Sequence, residues 1–136
     1  MSETVDYQAP ALRWYELMAV HDWQGLRALT HPDIDFIVAE GFPNGGHYLG
    51  ADAVFDDYFP TASTAWERLV PVTDQVIPAG EHTIVLGRYV GVTRETQTPF
   101  DVAFAHVWRS DGAQLTELKQ FIDTAIFRDR VAGIAA

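Results

Sequence analysis

Hydrophobic residues recur at helical spacing only in the first part of the chain. In "PALRWYELMAVHDWQGLRALT" (10–30), Leu12, Tyr15, Met18 and Ala19 fall on one helical face, with Trp14 and Leu17 beside it. Pro10 suits a first helical turn. Asp22 is placed to cap a second, short helix carrying Trp23, Leu26 and Leu29. "DIDFIVAE" alternates in part and predicts a strand. "GFPNGGHYLG" is turn-rich, and "ADAVFDDYF" predicts a third, short helix.

Beyond that point the period changes to two. Long strands are predicted over 66–78, 83–93, 99–109 and 114–123. Turn signals separate them at Pro78-Ala79-Gly80, Thr93 to Thr98 and Asp111-Gly112. Helices, a strand, a helix and then a meander define an α+β fold, with helices on one face of a curved antiparallel sheet. The 136 residues are 48% hydrophobic, enough for one domain with its core over about 8–127.

A net charge of −10 argues against a nucleic-acid or anionic-membrane partner, since both attract Lys/Arg patches. The chain has no cysteine, which excludes disulfide and thiolate chemistry. No run approaches the roughly 20 apolar residues of a membrane span. The acidic, polar start "MSETVDYQAP" does not read as a secretory leader, so a cytoplasmic location is expected.

The Asp111-Gly112 turn predicts a hairpin register. Pairing Ser110 with Ala113 sets His106 opposite Glu117, Phe104 opposite Lys119 and Phe100 opposite Asp123. Phe104, His106, Trp108, Glu117, Lys119, Phe121 and Asp123 then share one face. Aromatics with a few polar groups are what a small-molecule pocket needs. The competing reading makes His106–Glu117 and Lys119–Asp123 ordinary pairs at a sheet margin. The opposite face, with Ala103, Ala105, Val107, Leu118 and Ile122, would be an exposed apolar patch and is expected to bury itself in a two-fold homodimer.

The segments "RWYELMAVHDWQGLRAL", "EGFPNGGHYLGADAVFDDYF", "IVLGRYVGV" and "FAHVWRSDGAQLTELKQFIDTA" resemble the nuclear transport factor two-like superfamily, in its SnoaL-like, ketosteroid-isomerase-related branch. The resemblance runs from Trp14-Tyr15 to about Phe127. It implies a conical half-barrel closed by helices around a deep cavity, often dimeric. Against ketosteroid isomerases, Glu40 falls near the place of the base, Trp14 takes the tyrosine place with Tyr15 one step off, and Ala105-His106 stands in the oxyanion-aspartate region. Against limonene epoxide hydrolase, Arg88 and Asp123 match by position and Val90 replaces the middle aspartate. SnoaL-like cyclases place an acid/base aspartate on the last strand, which Asp123 matches, with His106 as its partner.

These residues define the expected chemistry. An aspartate on an apolar wall is desolvated, which raises its pKa toward a useful range. His106, with an ordinary value near ~6.5, can donate a proton or polarise a carbonyl. The catalytic candidates are Asp123 and His106. Glu40, Arg88, Lys119, Tyr15, Trp14, Phe104 and Phe121 are candidate catalytic or cavity-lining groups. The histidine spacings match no metal motif and "GFPNGG" lacks a phosphate-loop ending, so no metal or cofactor is expected. The expected activity is cofactor-independent acid/base catalysis on a hydrophobic, carbonyl-bearing molecule by a cyclase, isomerase or dehydratase. The alternatives are a non-catalytic binding or dimerisation module, and an epoxide hydrolase with a rearranged triad.

Overall fold

A computed structural model describes residues 4–130. Two helices open the chain, α1 (Ala9–Ala19) and α2 (Trp23–Ala28). The expected cap is in place: the Asp22 carboxylate accepts from the Gly25 amide at 2.9 Å. On α1 the buried stripe is rotated from the expected one. Ala11, Trp14, Tyr15 and Met18 face inward at helical spacing, while Leu12 is 41% exposed. Trp14 sets this rotation by packing 5.0 Å from Trp108, a ring that outweighs Leu12 in apolar area.

Strands β1 (Thr30–Val38) and β2 (Gly46–Leu49) form a hairpin, of which β2 falls in the stretch read as turn alone. A π-helical turn (Ala53–Tyr58) runs into α3 (Phe59–Ala62) and a 3₁₀ turn (Ser63–Ala65). The four long strands follow as β3 (Trp66–Ala79), β4 (His82–Thr93), β5 (Pro99–Ser110) and β6 (Leu115–Ile122). A last helix, α4 (Thr124–Arg130), was not foreseen. The sheet order is β2-β1-β6-β5-β4-β3. The long strands pair antiparallel as expected, but β1 joins β6 in parallel.

Burial alternates strictly along β4, with Val85 and Tyr89 inward and Ile84, Leu86 and Val90 outward and half-buried. Glycines on the inner side of β4 let the sheet curl. A Cβ at Gly87 would lie 2.2 Å from the Val72 carbonyl oxygen and 2.7 Å from the Phe104 ring. One at Gly91 would lie 2.1 Å from the Arg68 carbonyl oxygen. Edge strand β3 therefore bends in over the concave face, aided by bulges at Trp66/Arg68 and Thr73/Gln75.

The β5–β6 register differs from the expected one, and the cause is local. The turn spans Asp111 to Gln114, and the Asp111 carboxylate accepts from the amides of Ala113 (2.9 Å) and Gln114 (2.7 Å). Ser110 pairs Leu115, and an irregularity then sets Arg109 against Glu117. The partner of Arg109 has moved by three residues, an odd number, so β6 presents its other face. Leu118, Gln120 and Ile122 now accompany Phe104, His106 and Trp108 inward. Glu117, Lys119 and Phe121 lie on the outer face with Ala103, Ala105 and Val107.

Gly87→Ala tests the origin of the curl. The added methyl meets backbone on one side and Phe104 on the other, so stability is expected to fall by about 1–3 kcal/mol in urea denaturation. An unchanged midpoint would place the bend elsewhere.

Candidate functional site

A cavity of about 370 Å³ lies between the concave face of the sheet and the helices. That volume suits a small organic molecule. Trp14, Phe36, Tyr58, Phe59 and Trp108 give it aromatic walls. Its buried side chains with polar atoms to offer a ligand are Tyr15, Tyr58, Tyr89, His106 and Gln120. Charged side chains enter its lining only as exposed residues, namely Glu67, Arg68 and Arg94, with His21 alongside.

All of these buried polar groups but Tyr58 belong to one connected chain. Trp108 Nε1–H donates to Tyr15 Oη at 2.8 Å. Tyr15 Oη lies 2.6 Å from His106 Nδ1, and Tyr89 Oη lies 2.8 Å from Nε2. Gln120 Nε2–H donates to Tyr89 Oη at 2.8 Å, and the Ala39 amide donates to Gln120 Oε1 at 3.1 Å. Phe104 lies behind this chain, stacked on the His106 ring at 3.9 Å between centroids.

Burial sets the charge state. Desolvation pushes His106 down to about 3. The same effect raises Tyr15, Tyr58 and Tyr89 well above the usual phenol value. All four are neutral at pH 7, and the polar atoms of Tyr15, Tyr89 and His106 are held by hydrogen bonds rather than by a counter-ion. The expectation that His106 titrates near neutrality is therefore corrected.

The structure gathers His106, Tyr15 and Trp14 at the cavity with Phe104 as backing, and separates them from the remaining candidates. Asp123 is exposed, follows the end of β6 and does not line the cavity; its carbonyl accepts from Phe127 N at 3.0 Å as α4 begins. Its expected place beside His106 is corrected by the register shift. Lys119 is exposed and Phe121 is 57% exposed, both on the outer face for the same reason. Arg88 also faces outward, bonding Asp101 at 2.8 Å and Asp74 at 3.2 Å. Glu40 is exposed and borders a separate shallow depression with Gly41 and Pro43. Sequence reasoning did not select Gln120 or Tyr58 as site residues, and weighed Tyr89 as cavity-lining against a plain core role. The alternation of β4 carries the signal for Tyr89, and a polar residue between Leu118 and Ile122 carries it for Gln120.

The chain belongs to the SnoaL-like domain family, whose model matches residues 11–118. Solved structures extend the likeness to nearly the whole length. An NTF2-like protein of Burkholderia thailandensis is 29% identical with a TM-score of 0.85, covering 95% of this chain and 98% of its own. TerC, crystallised with polyporic acid, is 21% identical with a TM-score of 0.82, covering 92% and 97%. A protein of Catenulispora acidiphila with a ketosteroid isomerase-like fold, in complex with trimethylamine, is 18% identical with a TM-score of 0.71, covering 82% and 83%. No curated protein matches the sequence. The α+β half-barrel read from the sequence is thus the fold of this family. No helix among the described residues is long and apolar enough to cross a membrane.

The buried imidazole makes stability depend on pH. In the folded chain His106 protonates near 3, and unfolded it protonates near 6.5. Between these values the unfolded state binds the extra proton, so stability falls as pH drops through that window. The slope for this one group approaches about 1.4 kcal/mol per pH unit. His106→Gln is expected to flatten the stability–pH curve over that window by this amount, as read by urea denaturation at several pH values. Parallel curves for the two proteins would mean that the imidazole is not held neutral.

Proposed function

We propose that this chain is a cytoplasmic, cofactor-independent enzyme acting by proton transfer on a hydrophobic, carbonyl-bearing small molecule, as a cyclase, isomerase or dehydratase. The observation that carries the reading is the Tyr58 hydroxyl. The Tyr58 side chain is buried and lines the cavity, and its hydroxyl has no hydrogen-bond partner among the described residues. That oxygen is not sealed from solvent, so the phenol stands open to the cavity as a donor that a ligand oxygen can take. Aromatic walls take the apolar body of the ligand, and uncharged donors take its carbonyl. A polarised carbonyl acidifies the neighbouring C–H, the first step shared by these reaction types. His106, Tyr15, Tyr58 and Tyr89 are the groups placed to act on it. Asp123 is exposed and does not line this cavity.

A simple ketone tests this. Protein-dependent deuterium exchange at the methyl group of 2-acetylnaphthalene in heavy water is the expected activity. Binding without exchange would favour the non-catalytic binding module. The epoxide hydrolase reading has no support from the cavity, which neither Arg88 nor Asp123 lines. Tyr58→Phe separates ligand binding from folding. Its hydroxyl bonds no described residue, so the melting temperature is expected to hold or rise. Affinity for 2-acetylnaphthalene by fluorescence titration should fall about twofold to tenfold. A loss of stability with unchanged affinity would remove Tyr58 from the site.

A second copy of the chain is the proposed cover for the outer sheet face. Ile84, Leu86, Val90, Ala105 and Val107 are only half-buried there, with Phe121 exposed. The expected patch is corrected in composition, since Leu118 and Ile122 face inward. Sedimentation at micromolar concentration is expected to give a dimer, and Leu86→Asp a folded monomer. A monomeric parent protein would dismiss the dimer.

A further inference from the structure

The hydrogens of the Tyr15–His106–Tyr89 chain can be counted. Each phenol sits against one imidazole nitrogen and accepts one outside hydrogen, from Trp108 Nε1 onto Tyr15 and from Gln120 Nε2 onto Tyr89. The orientation of the Gln120 amide follows from Ala39, whose backbone N–H can only donate and so faces Oε1. Burial keeps the imidazole neutral, with one N–H and one bare nitrogen. The two phenol–imidazole contacts use two hydrogens, while the three groups bring three: two phenolic and one on the ring.

One phenolic hydrogen is therefore left over in either tautomer. With the hydrogen on Nε2, Tyr15 donates to Nδ1 and Nε2–H donates to Tyr89. Tyr89 then accepts from both His106 and Gln120, and its own hydrogen is free. With the hydrogen on Nδ1, the roles reverse: Tyr89 donates to Nε2, Tyr15 accepts from His106 and Trp108, and the Tyr15 hydrogen is free. In each state the other phenol keeps a lone pair. The two ends are matched, each having one outside donor at 2.8 Å. Tyr15, Tyr89 and His106 all line the cavity.

We propose that Tyr15, His106 and Tyr89 form a two-ended proton relay, presenting one phenol to a ligand as donor and the other as acceptor, and exchanging these roles by imidazole tautomerisation. The proposal rests on the cavity being the ligand site. Its ligand class is a hydrophobic molecule with a carbonyl oxygen at one end of the relay and an O–H or acidified C–H at the other. The step balances. Starting with the hydrogen on Nε2, the ligand gives a proton to Tyr15 Oη and Tyr15 gives its own to Nδ1. Nε2 passes its proton to Tyr89 Oη, and Tyr89 gives its original hydrogen to the carbonyl oxygen. The ligand's electron pair shifts from the atom losing the proton toward the oxygen gaining one. The product is a tautomer of the substrate, no net charge forms on the protein, and His106 ends with its hydrogen on Nδ1. The reverse exchange with water entering from the mouth restores the first tautomer.

Nitrogen NMR of the His106 ring tests the relay in the ligand-free protein. Both ring nitrogens are expected to resonate between the positions of a protonated and a bare nitrogen, without titrating near neutral pH. Trp108→Phe removes the outside donor to Tyr15, so the population should move toward Nδ1–H by about twofold to tenfold. Gln120→Leu should move it toward Nε2–H by a similar factor. A single fixed tautomer in the parent protein, or shifts in the same direction, would overturn the relay. If Trp108→Phe does not fold, the parent spectrum and Gln120→Leu still decide. Adding 2-acetylnaphthalene, which only accepts, should collapse the averaged signals onto one tautomer, while 2-methylnaphthalene should not. A ketone that binds and leaves the average unchanged sinks the relay and spares the ligand site. A ketone that does not bind removes the ligand reading, and with it the relay's ligand class.

Discussion

Two backbone amides bonded to the Asp111 carboxylate set what the cavity contains. They hold the β5–β6 turn at its length, and they hold that carboxyl below the usual range, so it stays ionised. The irregularity beside the turn completes an odd displacement of β6 against β5. Gln120 enters the interior as a result and gives Tyr89 its donor. Lys119 leaves the interior, which keeps an ammonium group away from His106. A register one residue different would put a cation in an aromatic cavity, where its desolvation would have to be offset by a partner.

The buried part of the cavity is polar without being charged, although the whole protein carries −10. Ion pairs lie on the surface, as in Arg27 with Asp56 and Arg88 with Asp101. Inside, hydrogen bonds replace them, and among the described residues no fully buried side-chain nitrogen or oxygen lacks a partner. Neutrality has a chemical consequence. Proton movement within the site must run through hydrogen-bonded exchange, because no buried group changes charge near pH 7. Aromatic stacking of Phe104 on His106 and the packing of Trp14 on Trp108 hold the geometry that such exchange needs.

The same curl that makes the cavity leaves an apolar convex face. Gly87 and Gly91 allow β3 to approach the inner side, and the alternation of β4 then turns Ile84, Leu86 and Val90 outward. Concave pocket and convex patch are two results of one bend.

The sequence by itself determined the order of elements, because hydrophobic period is a local property: helical spacing before residue 30, period two from residue 66. It also singled out Asp22 as a cap and His106 as the polar residue of an aromatic strand, each readable from its immediate neighbours. Motif likeness placed the chain in a superfamily before any geometry was known. Only the tertiary structure decided which face of β6 looks inward. A period of two makes facing depend on parity, and parity depends on how the Asp111 side chain closes its turn and where the irregularity falls. Asp123 and Lys119 moved out of the site, and Gln120 moved in, on that single difference. Tyr58 and Tyr89 joined His106 from distant segments, a convergence that only the curled sheet and the Ala53–Tyr58 helical turn bring about.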